Sequence, residues 1–396
     1  MANPIFATAG TSIFETISRL SNDCEAINLG QGFPEGMEPP ALIDAAIEAL
    51  RSGPHQYPPM LGLPALRQAV ARNAERFLGL SLDWQAEVLV TSGATEALAD
   101  SFLALIEPGD EVIIIEPAYD AYSPLIRRAG GVVVPVAMGP PLWQLPREAL
   151  AAAVTGRTRL VVVNNPMNPI GKVFDDTELA FLADLAVSHD LTIVADEVYE
   201  HLVFEGWPFR SLLSVPGLRD RVVHIGSAGK TFSVTGWKVG YVIAAPALLG
   251  PIARAHQFVT FTTPPALQAA VAVGLSLPDP YFATLRQDLQ ARRDLLTDGL
   301  RAAGFAVADA DATYFVISDV SDLQTGRGAL GDGPADLEFC MRLTREARVA
   351  AVPISSFYGR REVTSHIRFC FAKREETLTT AIARLAVWRD HAAPAG

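Results

Sequence analysis

Residues 159–196 read RLVVVNNPMNPIGKVFDDTELAFLADLAVSHDLTIVAD. Both ends, Arg159–Asn164 and Leu191–Ala195, are short, apolar and rich in β-branched residues without alternation. Strands covered on both faces look like this. Between them, Asp176–Ser188 is an Ala/Leu-rich stretch with an acidic start, which predicts a helix. The pattern continues outward from about residue 85 to 245. Further strands are expected at Val88–Thr91, Glu111–Glu116, Gly131–Val136, Val222–Ile225 and Val239–Ala244, with helices at Thr95–Ile106 and Leu145–Ala153. Such alternation predicts an α/β fold, a three-layer αβα domain around a mostly parallel seven-stranded sheet.

The flanks read differently. Residues 4–40 carry many Gly and Pro and are expected to form an arm, while 41–50 and 64–77 predict helices over the sheet. Tyr281–Ala303 predicts a long helix leading into a small α+β domain. That domain is expected to hold Gly304–Ser318, a helix at Asp336–Arg345, the run Val349–Ile354, a strand at His366–Phe371 and a last helix at Arg374–Trp388. Asp319–Pro334 reads as an exposed loop. The expected division is an arm with part of the small domain at 1–40, a large domain at 41–285 and the small domain at 286–396.

The chain has 396 residues, 49% of them hydrophobic, and a net charge of -12. Its mean hydropathy of +0.23 is high, yet no apolar run approaches the roughly 20 residues of a membrane-spanning helix. The acidic balance and the lack of a Lys/Arg cluster argue against nucleic acid and against anionic membranes. Cys24, Cys340 and Cys370 are widely spaced, and no Cys/His spacing points to a metal, so none is expected. The start of the chain has no signal-peptide pattern, which leaves the cytoplasm as the expected location.

Chemistry gathers after the strands. Ser227-Ala-Gly-Lys230-Thr-Phe-Ser-Val-Thr-Gly-Trp-Lys238-Val-Gly-Tyr241 places one lysine among small and hydroxyl residues, between apolar segments. A lysine in such a loop is either a surface charge or a buried amine. A buried amine deprotonates more easily and can form a Schiff base with an aldehyde. Ser227, the loop amides and Lys238 can hold a phosphate. Asp196 ends an apolar strand, where open α/β sheets bind ligands. It is either a capping carboxylate or the partner of a positive ring nitrogen, with Tyr199 on the same rim. The turn Asn164-Asn-Pro-Met-Asn168-Pro-Ile-Gly171 either simply reverses the chain or aims Asn168 into the crevice. Ser92-Gly-Ala-Thr95 opens a helix and offers a phosphate seat. Arg368, within Ile367-Arg-Phe-Cys-Phe371, either faces outward or clamps a carboxylate. These residues describe a phosphorylated aldehyde cofactor held by a lysine with a carboxylate partner. They do not choose the cofactor.

Taken together, these motifs resemble the fold-type I pyridoxal-phosphate enzymes of the class I/II aminotransferase family. The branch is that of kynurenine aminotransferases, glutamine transaminase K and methionine aminotransferases. The resemblance runs from Asn28-Leu-Gly-Gln-Gly-Phe-Pro34 to Ile367-Arg-Phe-Cys-Phe371 and implies an aspartate-aminotransferase-like fold. It implies pyridoxal 5′-phosphate as cofactor, with Lys230 forming the Schiff base and then moving the proton between Cα and C4′. By the same likeness Asp196 pairs with the pyridine nitrogen, Asn168 and Tyr199 contact the 3′ oxygen, and Tyr119 stacks on the ring. Gly93, Ala94, Thr95, Ser227 and Lys238 line the phosphate region. Tyr57 reaches the phosphate of a neighbouring subunit, which implies a homodimer. Arg368 and Gly32 attend the substrate carboxylate. The reaction implied moves an amino group from an L-amino acid (aromatic, sulfur-containing or glutamine) to a 2-oxo acid, through pyridoxamine phosphate. Other readings are a carbon–sulfur β-lyase on the same cofactor, a succinyl-diaminopimelate or aspartate-type aminotransferase, and a non-catalytic cofactor-binding regulatory protein. The segments around Glu35–Met37 and Gly53–Pro59 depart from the branch pattern at the pocket mouth, so the donor stays open.

Overall fold

The computed structural model describes residues 3–7, 10–324 and 334–392. The strand–helix–strand unit forms as its pattern predicts, with strands Thr158–Asn164 and Thr192–Asp196 around the helix Asp176–Ser188. Asp175 starts that helix with a capping box, its carboxylate accepting from the Thr177 and Glu178 N–H groups while Glu178 reaches back to Asp175 N–H. The strands are apolar on both faces because helices cover both sides.

Seven strands form the large sheet, in the order Val88–Thr91, Gly240–Ala244, Val222–Ser227, Thr192–Asp196, Thr158–Asn164, Glu111–Glu116 and Val132–Ala137. Only Gly240–Ala244 runs against the rest. Registry pairs Asn164 with Asp196, Asp196 with Ile225, and Ser227 and Thr91 with Gly240. Asn164, Asp196, Ser227 and Thr91 therefore end their strands on one edge of the sheet.

The helices Pro40–Ser52 and Pro64–Leu78 form as expected, each with proline in its first turn, where the missing N–H costs nothing. The helices Pro246–Val259 and Pro265–Leu275 were not anticipated; Pro265–Leu275 packs on Pro40–Ser52. The long helix runs Asp279–Ala302, and Phe282 pins its start among the rings of Phe77, Phe232 and Tyr281. A second sheet of four strands has the order Val352–Pro353, His366–Cys370, Phe315–Asp319 and Ala306–Val307, with antiparallel pairs throughout. Near the N-terminus, Ile27–Asn28 pairs in parallel with Val349–Ala350, which ties the beginning of the chain to its last third.

Two local expectations need correction. The loop expected at Asp319–Pro334 begins instead with a short helix, Ser321–Gln324, started by Asp319 accepting from the Ser321 N–H; residues 325–333 of that stretch lie outside the described residues. The run Val349–Ile354 is two short strands that belong to different sheets, followed by a 3-10 turn at Ile354–Phe357. No described helix is long and apolar enough to cross a membrane.

Candidate active site

The strand ends meet at a cavity of about 200 Å³. Gly93, Ala94, Thr95, Tyr119, Asn168, Asp196, Tyr199, Ser227, Lys230 and Lys238 all line it. Ten of the singled-out residues thus share one space, although they come from positions 93 to 238. Arg368 lies one hydrogen bond from the lining residue Asn168, and Gly32 is linked to the lining residue Lys230 through Tyr314. Tyr57 stands apart, 83% exposed and edge-on to Phe261 at 5.6 Å.

Lys230 sits in the turn of helix that follows the strand Val222–Ser227. Its Nζ donates to Tyr314 Oη over 3.0 Å and lies 5.6 Å from the ring centres of both Tyr199 and Tyr314. Burial, which disfavours the ammonium, pushes this amine down from 10.5 to about 8, against the attraction of Asp196. An appreciable share is therefore unprotonated near neutral pH, as a nucleophile or base requires.

Asp196 is buried, and burial pushes its carboxyl up despite the Tyr122 hydrogen bond and the Lys230 charge. Oδ2 accepts from Tyr122 Oη at 2.5 Å. Oδ1 is buried with no hydrogen-bond partner. A buried carboxylate oxygen left bare is costly, and a cation or N–H group would complete it. Asn164 holds the floor: its Nδ2 donates to the Asp196 carbonyl at 2.8 Å, and its Oδ1 accepts from Asn168 N–H at 2.8 Å.

At the opposite end, Gly93 precedes the helix Ala94–Leu105 with φ of 82°. That conformation favours glycine, and a Cβ there would lie 3.2 Å from Lys238 Nζ. The helix N-terminus thus points its free N–H groups at a cavity wall that also carries Lys238 and Ser227. This is an anion seat by geometry and by charge.

Arg368 is not the outward-facing residue that an alternating strand allows. It is 1% exposed, with Nη1 donating to Asn168 Oδ1 and Nη2 to the Gly30 carbonyl, both at 2.6 Å. Its guanidinium lies 3.8 Å from the Phe315 ring centre. Burial lowers its pKa to about 10, which leaves it charged at neutral pH. Its Nε has no partner. A cationic donor whose Nε–H is unpaired beside the cavity suits a carboxylate.

Sequence reading missed Tyr122, Tyr314 and Asn164, which hold Asp196, Lys230 and Asn168. It also missed a buried cluster of Glu96, Asp100 and His256, whose possible ligand atoms lie within 4.8 Å of one another. His256 Nδ1 lies 2.8 Å from Glu96 Oε1 and its Nε2 3.0 Å from the Met60 carbonyl, so the ring can be fully protonated. The two carboxylates raise it to about 9 against the effect of burial. Partners 160 positions apart give no sequence signal.

The residues present fit a phosphorylated aromatic aldehyde. The cavity offers a buried amine with lowered pKa, a bare carboxylate oxygen for a positive ring nitrogen, and an anion seat beside a lysine. A sequence model of the family described as aminotransferase class I and II matches residues 25–385. A probable N-succinyldiaminopimelate aminotransferase of Mycobacterium tuberculosis is 41% identical over 394 residues, 97% of each chain. A methionine aminotransferase of Escherichia coli is 38% identical over 376 residues, 95% of each chain. The solved structure of an N-succinyldiaminopimelate aminotransferase from Mycobacterium tuberculosis aligns with a TM-score of 0.93, covering 98% of this chain and 100% of that one, at 41% identity.

Proposed function

The chain belongs to the class I and II aminotransferases, so it moves an amino group from an amino acid to a 2-oxo acid with pyridoxal 5′-phosphate as cofactor, and we propose that Lys230 is the residue on which the transfer turns. Its fold is of the aspartate-aminotransferase type. One observation carries the assignment of Lys230: a buried lysine amine and the bare Oδ1 of Asp196 face one cavity with an anion seat at its end.

When bound, the cofactor supplies an aldehyde that accepts the amino group and a ring that draws electron density from Cα. Lys230 Nζ would take the proton from the substrate Cα and deliver it to C4′ of the cofactor, at close range and with a pKa brought toward neutrality by burial. Asp196 holds the positive ring nitrogen, whose charge offsets the burial that pushes the carboxyl up. Asn168 and Tyr199 would hold the ring oxygen, and Tyr119 would stack on the ring. Gly93, Ala94 and Thr95 with Ser227 and Lys238 hold the phosphate. Arg368 and Gly32 receive the substrate carboxylate. Borohydride reduction of the yellow protein should fix the cofactor mass on Lys230 in a peptide map; an unmodified Lys230 peptide would falsify the assignment.

For the donor, the rings of Phe14, Phe315 and Phe357 around Arg368, and the half-open ring of Phe33, favour an uncharged apolar side chain. The nearby buried cation Lys373 is already paired with Glu35 at 3.1 Å. The second reading is an N-succinylated diaminopimelate donor, favoured by the 41% identity to the Mycobacterium protein. Rates with methionine, kynurenine, glutamine, aspartate and succinyl-diaminopimelate separate the two. Pyruvate released from a cysteine conjugate without an acceptor marks β-lyase activity.

We further propose a homodimer with Tyr57 completing the neighbouring phosphate seat. Tyr57 and Phe258 are 83% and 84% exposed, with Val259 and Phe261 beside them, a patch that suits a second copy. The large domain spans 41–285, and both ends of the chain build the small one.

A further inference from the structure

Lys230 Nζ donates to Tyr314 Oη at 3.0 Å, and Tyr314 Oη donates to the Gly32 carbonyl at 2.9 Å. A phenol has one proton, so with that proton given to Gly32 it offers Lys230 only a lone pair. Tyr314 is fully buried and cannot swing away, with its ring 5.3 Å from Tyr199 and 4.7 Å from Phe315, edge-on to both. Gly32 packs directly against Phe315 and leaves no room for a side chain, since a Cβ there would lie 2.7 Å from Phe315 Cζ. The same short segment is closed by Asn28 Oδ1, which accepts from the Gly30 and Gln31 N–H groups at 3.0 Å each. Its Gly30 carbonyl takes the Arg368 Nη2 donor. The arginine assigned to the substrate and the lysine assigned to proton transfer are thus joined through residues 28–32 and one tyrosine.

We propose that Tyr314 is a positioning residue for Lys230, holding the free amine by its lone pair and tying its aim to the segment that grips Arg368. This rests on the reading of Lys230 as the proton-transfer residue. It gives a role to a buried phenol that hydrogen-bonds Lys230 and also reaches Tyr199. The charged and titratable groups facing Lys230 are Asp196, Arg368, Lys238, Cys370, Tyr199 and Tyr314 itself. Tyr314 is the one that hydrogen-bonds Nζ.

The test is Tyr314→Phe, which deletes one oxygen. In cofactor-stripped protein, the readout is the pH midpoint for acetylation of Lys230, followed by mass spectrometry in variant and wild type, where burial should bring the wild-type amine down to about 8. In the variant the midpoint should fall by roughly half a unit or more, since a lost acceptor weakens the ammonium more than the amine. In the holoenzyme kcat should fall about tenfold while KM for the amino donor stays within about twofold. An unchanged midpoint overturns the proposal, and so does a raised KM at constant kcat, which would give Tyr314 to substrate binding. If the phenylalanine variant loses its cooperative melt, Tyr314→Met repeats the deletion with a more adaptable side chain. Failure of the underlying Lys230 reading shows separately, as wild-type protein whose Lys230 peptide escapes borohydride trapping.

Discussion

Asp196 at the edge of the large sheet and Asp336 beside the small one are both buried, and burial pushes both carboxyls up. Their surroundings differ. Asp336 Oδ2 accepts from Ser355 N–H at 2.7 Å, and its Oδ1 accepts from Ser355 Oγ at 2.7 Å and from Leu337 N–H at 2.9 Å. Asp196 has Tyr122 on Oδ2 and nothing on Oδ1. The buried lysines repeat the contrast. Lys373 Nζ meets Glu35 Oε1 and the Phe33 carbonyl at 3.1 Å each, whereas Lys230 has one phenol oxygen. In these two pairs, the charges away from the cavity are completed by the fold, and those at the cavity are left open. Incompleteness alone is not a site: Asp100 also has bare oxygens, but it lies against His256, with 3.6 Å between Oδ2 and Nδ1. What sets Asp196 apart is that it lines the cavity.

The strongest break of this contrast is Lys230→Ala. Removing the base should cut transamination by about a thousandfold or more, without lowering the melting temperature, because it relieves a buried amine. A loss of less than about tenfold in a donor panel would hand proton transfer to another group. The next test exchanges the two aspartates. Asp196→Asn should slow turnover by about a hundredfold, since a neutral amide cannot hold a positive ring nitrogen. Asp336→Asn should leave turnover nearly intact but lower stability by about 1–3 kcal/mol, as its NH₂ or its single oxygen cannot satisfy every donor. Denaturant melts and steady-state rates on both variants decide it, and the contrast fails if the two effects trade places.

The same pair gives a pH prediction. The folded carboxyl of Asp196 lies above its unfolded value, so its neutral form is the one the fold favours. Its stabilising contribution is present below the unfolded value of about 3.9 and is lost as pH rises through the raised folded value. Without cofactor, Asp196→Asn should therefore melt higher than wild type at pH 7, and the gap should close toward about pH 4. Bound cofactor should erase the gap at pH 7, because it pairs the carboxylate.

Much of this was legible in the chain because the large sheet writes itself in local signals. Glu111–Glu116 and Asp176–Ser188 fall on the residues their patterns indicate. An uninterrupted β-branched run has few alternatives, and the acidic start marks the helix end. The strand-end residues could then be placed on one edge, because parallel strands end together. Less legible were Pro246–Val259 and Pro265–Leu275, apolar enough to blur any single face. The supports were hidden as well. Tyr122 reaches Asp196 across 74 positions, and Tyr314 reaches Lys230 across 84. No local rule joins residues so far apart. What can be read is that a charged residue occupies an apolar context; which side chains complete it depends on the tertiary fold.

Arg368 makes the smallest and most local test, because it lies between the two kinds of charge. Two of its donors are committed, to Asn168 Oδ1 and the Gly30 carbonyl, while Nε is bare. Arg368→Lys keeps the positive charge but loses the planar fork that spans both acceptors over the Phe315 face. One of the two buried oxygens is then left without its donor, and the segment 28–32 loosens from Asn168. KM for the amino donor should rise about tenfold, while kcat falls only a few-fold, because the charge that attracts the carboxylate remains. A kcat loss as large as that of Asp196→Asn, at unchanged KM, would move Arg368 from substrate binding to the support of Asn168. The boundary between completed and open charges would then lie one residue closer to the cavity.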